Sequence, residues 1–520
     1  MRFLTPLPLP RPLRPLLGSP ILLALLTAAC ASAPPPPPAP APSPVTPSPV
    51  TLAVVPSAPP APPPAEAAPP ALPDSVRELQ RAILGAHGAA DAVESLTTEV
   101  GPRLAGSPGD KLAVAWALKT MRERGLANVH AEPVKVPVWQ RGIETASLLG
   151  PAPRRLSVTA LGWSGATPGA PGKALEGDVV RFDSMDALKS ADPKNVTGKI
   201  VFLDVKMRES GEMTGYGTAV VARGNGPLEA AKKGAIAIVI RSIGTDASRF
   251  PHTGAMHKEK DAKSALPAGA LSNADADLLA RSLAAHGGAR LALSLTPRWL
   301  PDADSANVVG EIPGREKAGE VVLIGAHLDS WDLGEGALDD GAGCGIVLEA
   351  GRALAALPTK PRRTVRVVLF AAEENSLSGG KEYAKAHASE APSHLAAIEA
   401  DFGTGRVVHV QVLGGPEAHD RLAAIAPMLE PLSVTATSEK AFGGADISPL
   451  RGLGVPLVDL GQDPARYFDT HHTANDTFAR IDSGALSQAA AAFATTAWAL
   501  AEGSGDLGRI PEAERERERR

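Results

Sequence analysis

Apolar residues in the second half of the chain fall into short runs separated by stretches with helical spacing. The run 364–370 is apolar and β-branched apart from Arg366, which is typical of a strand buried on both faces. Similar runs predict strands at 307–309, 321–326, 395–400 and 455–460, and helical spacing predicts a helix at 345–357. Strands that alternate with helices indicate an α/β fold, with a mostly parallel central sheet covered by helices on both faces.

The pattern changes between residues 140 and 298. Short apolar runs there, such as 199–204 and 235–240, alternate with turns and with one helical stretch at 227–233. This pattern predicts a β-rich domain inserted into the α/β fold. The α/β domain would then consist of residues 75–139, which show helical spacing at 75–87 and 107–125, and of residues 299–505.

The two ends of the chain differ from this body. Residues 1–30 have the arginines, apolar stretch and small residues of an export signal, and the sequence before Cys30 resembles a bacterial lipoprotein box. Simple cleavage beside Cys30 is the alternative. Residues 31–74 are rich in proline and alanine, which predicts an extended linker, and residues 506–520 are expected to form a charged tail. We therefore expect an exported protein, either lipid-anchored in a bacterial cell envelope or secreted.

Composition excludes some classes of partner. The 520 residues carry a formal net charge of −5, so no basic surface suggests nucleic acid. Contact with a membrane is expected only through a lipid on Cys30. The other cysteine, Cys344, has no Cys/His pairing pattern around it and is interpreted as a small buried residue.

Five polar motifs lie in predicted loops, most of them directly after the strands. The carboxyl ends of strands are where an open α/β sheet binds its ligands. The motifs are His327-Leu-Asp329, Asp339-Asp340, Glu373-Glu374, Asp401 and His471-His472.

Each motif alone has a simpler explanation. Asp340 is best interpreted as a helix cap, the two glutamates could form a charged turn, and Asp401 could belong to a turn. His471 and His472 could be surface residues. Together, however, imidazole and carboxylate groups without a thiolate suit zinc, and the mixed set suits two ions that share a bridging carboxylate.

With these motifs the sequence resembles the zinc aminopeptidase and glutamate carboxypeptidase family. Within that family it is most similar to the plasma glutamate carboxypeptidase, or carboxypeptidase Q, group. The resemblance extends from about residue 75 to 500 and includes the metal motifs. It also includes segments 101–107, 138–142, 305–314 and 443–449.

The resemblance implies two zinc ions per chain and five ligands. His327 and Asp401 would hold one zinc, Glu374 and His472 would hold the other, and Asp339 would bridge both. His472 is preferred to His471 because it directly precedes Thr473, as in the family motif.

Two further carboxylates receive catalytic roles from the resemblance. Asp329 would orient His327, and Glu373 would be the general base that takes a proton from the attacking water and passes it to the leaving amine. The insert resembles a protease-associated domain, which would border the cleft and limit the length of the substrate.

The function implied is a two-zinc metallopeptidase, an exopeptidase or dipeptidase that acts on short peptides. One alternative is a transferase like glutaminyl cyclase, which has the same fold but uses one zinc. Another is a receptor-like protein that keeps the fold without catalysis. The end of the peptide that is attacked, the preferred side chains and the oligomeric state, with a homodimer among the options, stay open.

Overall fold

The computed structural model describes residues 72–169, 173–207, 214–464 and 466–516. The export signal, nearly all of the proline-rich linker and Cys30 lie outside these residues, so their assignments stay predictions. Within the described segments, no helix is both long enough and apolar enough to cross a bilayer.

The described strands form two sheets. In chain order they are β1 (Ala127–Gln140), β2 (Glu144–Leu149), β3 (Arg154–Leu156), β4 (Val158–Ala160), β5 (Leu175–Phe182), β6 (Ile200–Leu203), β7 (Ala237–Arg241), β8 (Ala268–Leu271), β9 (Arg290–Leu295), β10 (Arg298–Ile312), β11 (Lys317–His327), β12 (Arg363–Phe370), β13 (His394–Glu399), β14 (Val407–Leu413), β15 (Thr435–Ala436) and β16 (Leu457–Gln462).

The described α-helices lie before, between and after these strands. They are α1 (Asp74–Leu84), α2 (Gly88–Glu99), α3 (Pro108–Glu123), α4 (Met185–Ser190), α5 (Thr214–Lys232), α6 (Asn273–His286), α7 (Ala342–Ala356), α8 (Glu373–Ser376), α9 (Ser378–Ala386), α10 (Ala418–Ile425), α11 (Ser448–Gly452), α12 (Tyr467–Thr470), α13 (Ser483–Glu502) and α14 (Glu512–Arg515).

The central sheet has the strand order β1-β10-β12-β11-β13-β16-β14-β15. Its four inner strands, β12, β11, β13 and β16, are parallel to one another, whereas β10 and β14 are antiparallel to their inner neighbours. Helices cover both faces, which confirms the predicted α/β class.

Alternate residues of the inner strands enter cores on opposite faces of this sheet. In β11, Val322 and Ile324 pack in the core formed with α1, α2, α7 and α13, whereas Leu323 packs in the core formed with α9 and α11. All three side chains are fully buried, and burial of such a side chain stabilises the fold by ~1.5–3 kcal/mol. The continuous apolar runs are therefore a consequence of burial on both faces.

Strands β2 to β9 form the second sheet, in the order β3-β2-β9-β5-β6-β7-β8-β4. We call residues 144–295 the inserted domain. It leaves the central sheet after Gln140 in β1 and returns at Arg298 in β10, and these two residues are paired. Its likeness to a protease-associated domain stays a prediction.

Several predicted elements differ from those observed. The helix expected at 227–233 is the longer α5, whose four glycines and Pro227 conceal the helical pattern. The strand expected at 307–309 is the longer β10, because its polar half pairs with β1 at the edge of the sheet. Helix α2 was not predicted. In the segment expected to be a charged tail, Leu507 is almost fully buried and Ile510 is completely buried.

Candidate metal centre

The central sheet brings three of the predicted site residues to one edge. His327 is the last residue of β11, Glu373 begins α8 shortly after β12, and Asp401 lies two residues beyond β13. These three strands are parallel neighbours, so their carboxyl ends meet at the same edge. The loop before α7 adds Asp339, and the loop after α12 adds His472.

Three of these side chains form what we call the His327 cluster. His327 Nε2 lies 3.2 Å from Asp339 Oδ1 and 3.5 Å from Asp401 Oδ1. His327 and Asp339 are buried, and about a quarter of the Asp401 side chain is exposed. One nitrogen and two carboxylate oxygens therefore converge at a position that is open on one side.

The His472 cluster is built from the other predicted ligands and shares Asp339. His472 Nε2 lies 3.1 Å from Asp339 Oδ2 and 3.0 Å from Glu374 Oε2. All three residues are buried. Asp339 thus presents one carboxylate oxygen to each cluster, which is the arrangement of a bridging ligand.

The two clusters fit zinc. Zinc bonds of about 2.0–2.2 Å in a tetrahedral site place ligand atoms about 3.3 Å apart, and the measured separations span that value. Asp339 Oδ2 and Glu374 Oε1 are buried and accept no hydrogen bond, which is costly unless a cation faces them. Burial raises the pKa of Glu374 to about 7, and repulsion from Asp339 adds to this.

Asp329 contacts residues of both clusters. Its Oδ1 accepts a hydrogen bond from the amide of Glu373 at 2.9 Å, and its Oδ2 accepts one from the amide of Glu374 at 3.3 Å. His327 Nδ1 lies 3.1 Å from the carbonyl oxygen of Asp329 and 3.6 Å from its carboxylate. The Asp329 carboxylate therefore holds the Glu373-Glu374 turn most directly, while its carbonyl faces the histidine.

Glu373 directly precedes Glu374 in the chain and is half-buried. Burial raises its pKa well above the ordinary value; His327 opposes this effect, and repulsion from Glu374 and Asp401 adds to it. A carboxylate with a raised pKa that solvent can reach is suited to accepting and returning a proton.

Asp340 is turned away from the clusters. Its Oδ1 accepts a hydrogen bond from the amide of Gly343 in the first turn of α7 at 2.8 Å, and its Oδ2 accepts one from the amide of His327 at 3.1 Å. Asp340 thus caps the helix, as predicted, and also ties it to the strand end.

His471 and His472 are stacked with their ring centres 3.6 Å apart. His471 Nε2 is 3.6 Å from Asp339 Oδ2, farther than His472, and no contact to Glu374 accompanies it among the described ion pairs. The geometry therefore favours His472 as the ligand.

Two buried residues that organise the site were not assigned a role from the sequence. Arg103 donates hydrogen bonds to the carbonyls of Leu328 at 2.6 Å and Gly336 at 2.8 Å, so it ties together the two loops that follow His327 and precede Asp339. Asp476 accepts hydrogen bonds from the amides of Leu338 at 2.6 Å and Asp339 at 3.2 Å. Arg103 lies within segment 101–107 of the family resemblance, and Asp476 lies four residues after His472, so their positions beside these motifs were the signal in the sequence.

The fold and this centre together define an α/β zinc metallopeptidase, and comparison with known proteins identifies its family. The model of peptidase family M28 matches residues 307–497. Carboxypeptidase Q from Bos taurus is 34% identical over 407 residues, which cover 78% of this chain and 84% of that protein. The chain belongs to peptidase family M28, and the predicted resemblance is confirmed.

Solved structures agree with this assignment. A peptidase M28 precursor from Shewanella amazonensis is 46% identical, with a TM-score of 0.81 over 84% of this chain and 98% of that one. A zinc aminopeptidase from Bacillus subtilis is 20% identical, with a TM-score of 0.58 over 82% and 98% of the two chains. The latter supports the fold alone.

Proposed function

We propose that this chain is a two-zinc exopeptidase or dipeptidase that hydrolyses short peptides. The observation that carries the proposal is the position of Asp339, whose two carboxylate oxygens face His327 and His472 separately. With Asp401 and Glu374, these residues would hold two zinc ions. The ions would supply Lewis acidity, which polarises the scissile carbonyl and lowers the pKa of the attacking water.

Glu373 is the general base in this proposal. Its carboxylate accepts a proton from the attacking water and returns it to the amine of the departing fragment. The hydrogen bond from its amide to Asp329 fixes where the glutamate side chain begins. Asp329 therefore acts as a positioning residue for the base and for the adjacent ligand Glu374.

Two features argue against the alternatives. A single-zinc transferase would not need His327, Asp339 and Asp401 to converge beside the His472 cluster. A receptor without catalysis would not need to retain a base as well as five ligands. A peptidase is therefore favoured.

The direction of attack is tested with small substrates. The relative with 34% identity carries the name carboxypeptidase, so we expect cleavage next to a chain end. The zinc-loaded protein should hydrolyse free dipeptides, and comparison of N-blocked with C-blocked peptides should identify the end that is recognised. Cleavage only at internal bonds of long peptides would contradict the proposal.

We also propose that the protein is exported and attached to a membrane through a lipid on Cys30. The lipoprotein-like sequence before Cys30 supports this. In cells, Cys30→Ser should move the protein from the membrane fraction to the soluble fraction, whereas unchanged retention would contradict lipid attachment.

A further inference from the structure

Arg223 in α5 of the inserted domain is a buried cation beside the metal centre. Its Nη1 lies 3.3 Å from His472 Nδ1 and donates to the carbonyl of Thr253 at 3.4 Å, and its Nη2 donates to the hydroxyl of Tyr216 at 3.0 Å. Within the described segments, no carboxylate lies within ion-pair distance of it. A buried guanidinium without a carboxylate is costly, so a role for it is expected.

The surroundings of His472 indicate that role. Its Nδ1 is 3.3 Å from the carbonyl of Thr253, and donation to that oxygen leaves Nε2 unprotonated and directed at Asp339 and Glu374. Arg223 donates to the same carbonyl and so fixes the acceptor that sets the ring orientation.

The backbone around His472 needs external support. His472 has φ of 61°, a left-handed conformation that non-glycine residues rarely adopt. The inserted domain supplies hydrogen bonds on both sides: the amide of Thr253 donates to the carbonyl of His472 at 2.9 Å, and His252 Nδ1 lies 2.7 Å from the carbonyl of His471.

Glu374, which belongs to the His472 cluster and not to the His327 cluster, is also supported by the inserted domain. Trp163 is buried, and its Nε1 donates to the carbonyl of Asn375 at 2.8 Å. Asn375 directly follows Glu374, so this bond fixes the turn that carries the ligand.

The His327 cluster is supported differently. His327 is held through Asp329 and Asp340, both from the α/β domain. Across the described segments, no hydrogen bond joins the inserted domain to His327 or Asp401.

We propose that the inserted domain sets the zinc affinity of the His472 cluster selectively, and that Arg223 is the positioning residue for His472. The inference rests on the proposed two-zinc function. Hydrogen-bonding partners behind a metal ligand typically change metal affinity by ~10–100-fold, and a loss of that size is expected for one zinc and not for the other.

The test is a competitive zinc titration of the metal-free full-length chain against a chelator of known affinity. Arg223→Met should weaken one of the two zinc sites by ~10–100-fold and leave the other unchanged. Arg290→Met removes an exposed arginine of the same domain and should leave both unchanged. The melting temperature of each metal-free variant separates a metal effect from a folding effect.

Two further variants, each of which disrupts one cluster, identify the zinc site that Arg223→Met affects. In His327→Ala, which keeps only the His472 cluster intact, adding Arg223→Met should weaken the remaining zinc. In His472→Ala, the same addition should have no effect. If Arg223→Met does not fold, Tyr216→Phe removes one of its hydrogen bonds and should weaken the same site to a smaller extent.

The outcomes separate this inference from the function on which it rests. Unchanged affinities in Arg223→Met, or equal losses at both sites, would overturn the inference while two-zinc binding stands. A wild-type chain that binds one zinc would overturn the two-zinc function itself.

Discussion

The His327 cluster and the His472 cluster share Asp339, but they are built in different ways. His327 lies at the end of β11, and Asp401 follows the adjacent β13, so the hydrogen-bonded sheet fixes their spacing. Glu374 follows a turn in which Ala372 has φ of 58°, and His472 has φ of 61°. Strand ends position ligands with few additional contacts, whereas ligands on strained loops depend on contacts from elsewhere, here the inserted domain.

The largest effect is predicted for replacement of Glu373, the proposed base, which belongs to neither cluster. Glu373→Gln removes proton transfer without removing a ligand, so turnover of a dipeptide should fall by ~10²–10⁴ while the zinc content is unchanged. Steady-state kinetics and elemental analysis measure the two quantities. Glu382→Gln, in a half-exposed glutamate of α9, is the matched control. Full activity of Glu373→Gln would refute its role.

Asp329→Ala tests how far each cluster depends on supporting hydrogen bonds, because this residue contacts both clusters. The variant loses the acceptor for the amides of Glu373 and Glu374, whereas the carbonyl that faces His327 remains. We expect ~10–100-fold weaker zinc binding at the His472 cluster and a smaller loss at the other, as measured by zinc titration. The reverse order would contradict the different dependence of the clusters on support.

Arg103→Met tests the two loops of the site that are supported by a residue of the α/β domain and not by the inserted domain. Leaving the buried carbonyls of Leu328 and Gly336 without their donor should lower the free energy of unfolding by ~1–3 kcal/mol. Urea denaturation of the metal-free chain measures the change. An unchanged urea midpoint would show that the hydrogen bonds of Arg103 to these loops do not stabilise the fold.

The smallest effect is expected at the cap of α7. Asp340→Ala removes the acceptor for the amide of Gly343 and should cost ~0.5–2 kcal/mol of stability. Asp302→Ala, in an exposed residue of β10, provides the reference in the same denaturation experiment. Equal stability of the two variants would argue against a capping role for Asp340.

Local patterns predicted the parts of the molecule that local physics determines. The apolar run 364–370 corresponds to β12 because burial on both faces requires apolar residues throughout. His327, Glu373 and Asp401 could be placed at the strand ends because the carboxyl ends of parallel strands form the ligand edge. The particular ligand roles came from the family resemblance.

Contacts between distant segments were beyond such patterns. Arg223 meets His472 across 249 positions of the chain, and Trp163 meets Asn375 across 212. Nothing in the spacing around Arg223 distinguishes it from an exposed arginine. Its helix was also predicted too short, since Pro227 and neighbouring glycines resemble a loop.

The most direct test of the account is stepwise zinc loading of the metal-free chain with dipeptide hydrolysis followed at each step. Because Asp339 offers an oxygen to each cluster, activity should continue to rise until two zinc ions are bound per chain. A strong chelator should then abolish hydrolysis, and added zinc should restore it. Full activity with one bound zinc, or hydrolysis that survives complete removal of metal, would contradict the two-zinc account.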